Sequence, residues 1–230
     1  MNIGILGSGN MGRSMGMVWA EMGHALFFGD IGPDKARAVA QFVNRNARNA
    51  AQPLAEGGTV EQAAERGQVL LHTARGVVLS RMLPSLVPVQ DKVIIDCNNE
   101  TSRRPLRERT ISHAERLAQD APRAHIVKAF NTISQETFEH CSAGLEKFQV
   151  SCFVCGDSEP AVRTVLALAE EMGFAPVDCG PLHNACFLEV FGDFIRVMIK
   201  QSGGDPYHGF SFRPLPPCPQ PRLGGRHPPL

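Results

Sequence analysis

The first residues whose types and spacing suit chemistry lie near the N-terminus. Gly7-Ser8-Gly9-Asn10-Met11-Gly12 matches G-x-G-x-x-G, between an apolar run and a helical stretch, the context this pattern needs to bind a dinucleotide. Gly7 permits the tight turn, Gly9 lets a pyrophosphate approach the backbone, and Gly12 lets the helix pack closely on the strand. The helix N-terminus then presents free N–H groups and partial positive charge to phosphates. Asp30 ends the next apolar run. An acid there accepts a hydrogen bond from the ribose 2′-hydroxyl of NAD and repels the 2′-phosphate of NADP. Lys35 and Arg37 are near enough in sequence to supply a counter-charge, and Asp30 also opens the turn-forming stretch Asp-Ile-Gly-Pro.

Further candidates follow later apolar runs. Asn98 and Asn99, and Asn131 and Thr132, each stand just after an expected strand, where parallel sheets open their ligand crevice. The amides suit a nicotinamide carboxamide or a substrate, although asparagine also favours turns for local reasons. Cys152 and Cys155 form C-x-x-C inside an expected strand. Residues three apart on a strand point to opposite faces, so the pair is not expected to share a metal or a disulfide. The histidines show no H-x-x-x-H pairing, and no metal site is assigned. His72 reads as a core histidine, and His183, after Gly180-Pro181, has no visible partner. No residue is singled out as catalytic.

The elements that must position these residues alternate. Strands are expected at 3–6, 25–29, 69–73, 92–96, 125–129, 148–155 and 175–177, and helices at 11–22, 33–46, 61–66, 77–83, 160–172 and 188–200. Such alternation implies right-handed crossovers and an α/β, doubly wound, mostly parallel Rossmann-type sheet. The runs at 3–6 and 93–95 are apolar without alternation, as strands covered on both faces are. The sheet and its crossovers use the chain to about residue 180. One helix then remains to wall the active site, alone or with a second subunit. Residues 213–230 hold seven prolines and no acid; that composition buries too little apolar surface to offset its ordering entropy and reads as a disordered tail. The expected organisation is one domain over 1–212 with this tail behind it.

Composition narrows the partner. Lys+Arg and Asp+Glu both number 23, for a formal net charge of zero, without the basic footprint of a general nucleic-acid binder or an anionic-membrane partner. No stretch approaches the length of a membrane span, and the N-terminus lacks the features of a secretory signal. Seven cysteines without disulfide-scaffold density fit reduced thiols and a cytoplasmic setting. A small molecule is the expected partner.

Four blocks carry a resemblance: Gly-Ser-Gly-Asn-Met-Gly at 7–12, Val-Lys-Ala-Phe-Asn-Thr-Ile-Ser at 127–134, Phe-Val-Cys-Gly-Asp at 153–157 and Gly-Phe-Ala-Pro-Val-Asp-Cys-Gly-Pro-Leu at 173–182. In this order they resemble the NADP oxidoreductase, coenzyme F420-dependent family over roughly residues 1–212. The resemblance implies hydride transfer between a nicotinamide and a deazaflavin, flavin-like or other small acceptor. NADP or NAD is then the cofactor, coenzyme F420 a candidate co-substrate, and a homodimer the implied assembly. Two positions depart from the family pattern. Asp30-Ile31 stands where the family commonly has Ser-Arg, which leaves NAD and NADP both open, and Ala74-Arg75 replaces Val-Pro after the fourth strand, a position from which Arg75 would contact cofactor phosphate or substrate. A non-catalytic dinucleotide-binding redox sensor, whose tail or last helix contacts a partner, is the alternative; turnover with an acceptor separates the two.

Overall fold

A computed structural model describes residues 1–48, 55–99, 111–140 and 142–216. Its described residues form an eight-stranded sheet in the order β3-β2-β1-β4-β5-β6-β7-β8. The strands are β1 (Asn2–Leu6), β2 (Ala25–Gly29), β3 (Ala55–Gly58), β4 (Val69–His72), β5 (Val93–Asp96), β6 (His125–Lys128), β7 (Ser151–Gly156) and β8 (Ala175–Asp178). Every neighbouring pair is parallel except β6–β7, which is antiparallel. The expected doubly wound, mostly parallel sheet is therefore present. The strand order reverses between β1 and β4, and ligands bind at such a switch point in this architecture.

Among the described residues seven helices cover the faces: α1 (Asn10–Glu21), α2 (Pro33–Asn46), α3 (Val60–Arg66), α4 (His113–Asp120), α5 (Ser142–Phe148), α6 (Glu159–Glu171) and α7 (Ala185–Gln201). Each face has its own core. Trp19, Phe28 and Phe130 anchor one; Leu70, Ile94 and Leu117 anchor the other. Cys152 belongs to the first and Cys155 to the second, so the C-x-x-C pair is split by the sheet. Burial pushes both thiols up to about 12.

The structure corrects two sequence expectations and adds three elements that were not expected. Residues 77–83 hold only a 3-10 turn, Leu79–Arg81. Gly76 enters with φ 70°, Val77 and Val78 are β-branched, and Pro84 disfavours helical backbone before it. The strand expected at 148–155 starts at Ser151; Phe148 ends α5, and Gln149 reverses the chain at φ 49°. Strand β3 was not expected, because Ala-Glu-Gly-Gly has low strand propensity. It forms because β2 offers an edge in register, Leu26 opposite Ala55, and because a Cβ on Gly57 would lie 2.4 Å from the Ala36 backbone. Helices α4 and α5 were also missed, although Ser112 and Glu115 make a full capping box for α4. The proline-rich tail lies outside the described residues beyond position 216.

Candidate functional site

The loop from β1 into α1 behaves as its glycine spacing requires. Gly7 sits at φ 117°, and a Cβ there would meet Thr73 Oγ1 at 2.4 Å. A Cβ on Gly12 would lie 2.5 Å from the Gly7 carbonyl, which is the close helix–strand packing expected. At Gly9 a Cβ would meet nothing within 4 Å, so the bare backbone faces open space. Helix α1 has Gly9 as its N-cap, without a side-chain cap and without an acid in its first turn. Its first N–H groups are thus left for a ligand. Ser8 is buried beneath the loop, while Gly9 and Asn10 are exposed.

Thr73, unremarked in the sequence, locks this turn: its hydroxyl donates to the Gly7 carbonyl at 2.9 Å. A β-branched hydroxyl at the end of a central strand was its only signal.

A cleft of about 560 Å³ opens at the switch point. Gly9, Asn10, Met11, Arg75, Asn99 and Asn131, all expected in the site, line it. The opposite wall comes from α7, through Gly192, Ile195, Arg196 and Ile199, with residues 132–136 closing one side. Sequence reasoning assigned the helix but not these side chains, since nothing local marks which stripe of an apolar helix faces a cavity. Gly7, Ser8, Gly12, Asp30 and Ala74 do not line the cleft; the first three form the turn beneath it.

Asp30 stands beside the loop, with both oxygens engaged. Oδ2 accepts from the Ser8 N–H at 3.0 Å and from Lys35 Nζ at 2.9 Å, and Oδ1 accepts from the Gly32 N–H. Burial pushes its pKa upward, yet Lys35 and the two backbone donors outweigh this and hold it below the usual carboxylate range. Lys35 is paired with Asp30 itself, and Arg37 with Asp34.

Asn99 and Asn131 face each other across β5 and β6. Asn131 Nδ2 donates to Asn99 Oδ1 at 2.7 Å and to the Leu188 carbonyl of α7 at 2.8 Å, and Asn99 Nδ2 donates to the Asn131 carbonyl at 3.0 Å. Asn131 Oδ1 is buried and has no partner. A buried acceptor at a cleft wall costs about 1–3 kcal/mol unless a ligand satisfies it. Such an amide suits an N–H donor of a bound ring.

His72 is buried as expected, with Nδ1 near Asn98 Nδ2 at 2.9 Å, but its Nε2 lacks a partner. It joins a buried cluster with Asp96, His113, Lys128 and Glu189 that the sequence did not single out. Charged residues within otherwise apolar parallel strands were the available signal. His183 is exposed in the turn before α7.

Fold and cleft define a doubly wound protein of the Rossmann type with an open ligand crevice at its switch point. Residues 2–100 match the family described as NADP oxidoreductase, coenzyme F420-dependent. A solved structure from Arthrobacter sp. FB24, described as an F420-dependent NADP reductase, superposes with TM-score 0.76 at 20% identity, covering 92% of this chain and 99% of that one. An Aspergillus terreus reductive aminase solved with NADPH and ethyl-5-oxohexanoate gives TM-score 0.59 at 17% identity, over 88% of this chain and 62% of its own. Among curated proteins, Metalloreductase STEAP3 of Rattus norvegicus is 29% identical over 183 residues, or 80% of this chain. The chain spans 34% of that relative's length.

Proposed function

We propose that the chain is an NAD(P)-dependent oxidoreductase that passes a hydride between a nicotinamide and a deazaflavin, flavin-like or other small acceptor. One observation carries this reading: the cleft joins a bare phosphate cradle at Gly9 to a buried, unpartnered amide oxygen at Asn131. The residues fit a dinucleotide at both ends. The α1 N-terminus and the Gly9 backbone would hold the pyrophosphate, and Asp30 with Lys35 would meet the adenosine ribose. Asn131 Oδ1 would accept from the carboxamide, oriented by Asn99. When bound, the nicotinamide supplies a hydride at C4, so the protein's task is to align two rings and exclude water. Helix α7 provides the wall against which an acceptor would lie.

The family match and the shared fold support the oxidoreductase class, and the rat relative, a metalloreductase by name, is consistent with a small or chelated acceptor. Asp30 and Lys35 leave NAD and NADP both in play. The working unit is residues 1–212, because the chain after α7 returns to β7, where Ser151 N–H donates to the Phe210 carbonyl at 2.6 Å. A homodimer is part of the proposal. Phe187, Val190, Phe194, Val197 and Met198 form an exposed apolar stripe on α7 with the spacing of a helix-pairing seam. A cytoplasmic setting is part of the proposal, in keeping with a cysteine content below disulfide-scaffold density. No helix among the described residues is long and apolar enough to cross a membrane.

Titration with NADH and NADPH, followed by turnover with FMN as acceptor, tests the reading. No binding of either dinucleotide at millimolar concentration would sink it. Tight binding without turnover on FMN, riboflavin or a ferric chelate would favour the sensor alternative.

A further inference from the structure

Beneath the Asn99–Asn131 pair, His72, Asp96, His113, Lys128 and Glu189 meet from five different elements, all buried. Lysine is almost never fully buried unless paired, and Lys128 is surrounded by acceptors. Its ammonium donates to Asp96 Oδ2 at 2.7 Å and to the Asn98 carbonyl, and it lies 2.7 Å from Glu189 Oε1. Three N–H donors meet three acceptors. Burial alone pulls the Lys128 pKa down, but Asp96 and Glu189 outweigh it and hold it above the usual lysine value. His72, Asp96 and His113 also place donor atoms within 4.8 Å of one another, a spacing that suits a metal. The Lys128 ammonium already occupies the cation position beside that carboxylate, so the cluster is built around its own cation.

Two of the three acceptors belong to opposite walls of the cleft. The Asn98 carbonyl is the peptide link to Asn99. Glu189 follows Leu188, whose carbonyl takes Asn131 Nδ2, and it also accepts from the His113 N–H at 2.8 Å. One turn further along α7, a Cβ on Gly192 would lie 2.8 Å from the Asn99 amide. The first half of α7 is therefore seated by directed polar bonds and a close backbone approach. An apolar seam tolerates small shifts; a three-acceptor ammonium specifies one geometry.

We infer that Lys128 is a positioning residue: it locks α7 to the turn after β5 and so sets the nicotinamide end of the cleft, while leaving the phosphate end untouched. This rests on the dinucleotide reading of the cleft. Lys128 contacts neither the glycine loop nor Asp30, so the two ends of a dinucleotide should respond differently to its loss.

Glu189→Gln is the working variant, because it leaves the Asp96–Lys128 pair in place. Gly192→Ala is the second, since it disturbs the same seam with every charge intact. Amide hydrogen exchange is measured on the full chain, with NADPH binding followed by fluorescence and ADP-ribose binding by calorimetry. In both variants amides of α7 should exchange at least tenfold faster while those of α1 are unchanged. NADPH should bind at least fivefold more weakly, with ADP-ribose within twofold of the unmodified protein. Unchanged exchange in α7 in both variants overturns the lock. Faster exchange with NADPH and ADP-ribose weakened in parallel, or both unchanged, overturns the positioning role. If the unmodified protein binds neither ligand, the dinucleotide reading fails and the nicotinamide role with it, while exchange still decides whether Lys128 holds α7.

Discussion

The backbone N–H of Ser8, in the glycine loop, donates to the carboxylate of Asp30 at the end of β2 across 3.0 Å. The glycine loop and the residue proposed to read the ribose are thus one hydrogen-bonded unit, with Lys35 as the third member. Because the folded Asp30 pKa is lowered, the group is a carboxylate at neutral pH. Asp30→Ser should weaken NADH binding and tighten NADPH, shifting the ratio of dissociation constants about tenfold, equivalent to about 1.4 kcal/mol. Fluorescence titration of both dinucleotides measures this. An unmodified protein that already prefers NADPH by more than tenfold would show that Asp30 does not read the ribose.

The loop glycines should separate folding from binding. Gly9→Ala places its methyl in open space, so the melting temperature should stay within about 2 °C, given the few degrees that 1 kcal/mol moves a domain of this size. Dinucleotide affinity should fall at least tenfold. Gly7→Ala, at φ 117° and against Thr73, should lower the melting temperature as well. Equal effects of the two substitutions on stability would contradict this division.

The buried ions should give the stability profile a plateau that falls away at both pH extremes. Burial opposes ionisation of Asp96, but the Lys128 ammonium and a hydrogen bond from His113 hold its pKa well below the usual range. Its contribution is complete above the unfolded value of about 3.9 and is lost as pH falls through the lower folded one. Lys128, shifted upward, keeps its contribution up to the unfolded value of about 10.4 and loses it as pH rises through the folded one. Urea midpoints should accordingly be level in this respect between pH 6 and 8. Asp96→Asn leaves Lys128 with Glu189 as its single carboxylate partner and weakens the buried pairing with His113; it should cost about 3–5 kcal/mol, read from the urea midpoint at pH 7. A loss below 1 kcal/mol would show that the cluster relaxes.

The α7 stripe yields a solution test of assembly. Phe194 and Val197 are 54% and 55% exposed, so charging both, as Phe194→Glu with Val197→Glu, should leave the fold intact. Sedimentation should then show a shift from dimer to monomer at micromolar concentration. An unmodified protein that sediments as a monomer at 100 μM removes the homodimer from the proposal.

Much of the frame was legible in the sequence. Strand β2 and helix α2 have the bounds expected from the apolar run at 25–29 and the proline at 33, because each carries its own local signals. The glycine loop was legible for the same reason: a φ of 117° at Gly7 and the close approach at Gly12 are demands that only glycine meets. Six residues proposed for the site do line one cleft, since the end of each parallel strand places the next residue at the same sheet edge.

What was missed depends on contacts between distant segments. Strand β3 exists through its pairing with β2, and Gly57 matters only because helix α2 passes over it. Thr73 acts on a carbonyl 66 positions earlier. The stripe of α7 that faces the cleft is chosen by Glu189 and Gly192 docking on Lys128 and Asn99.

The amino-acid order by itself determined the alternating strands and helices, the glycine turn and the acid after β2, because backbone conformation and periodic burial are local properties. Only the tertiary structure decided that Lys128 is buried among Asp96, Asn98 and Glu189, and that Asn131 Oδ1 is buried without a partner. Those outcomes depend on which groups remain to satisfy a buried donor or acceptor once every element has docked, and no local stretch of chain contains that information.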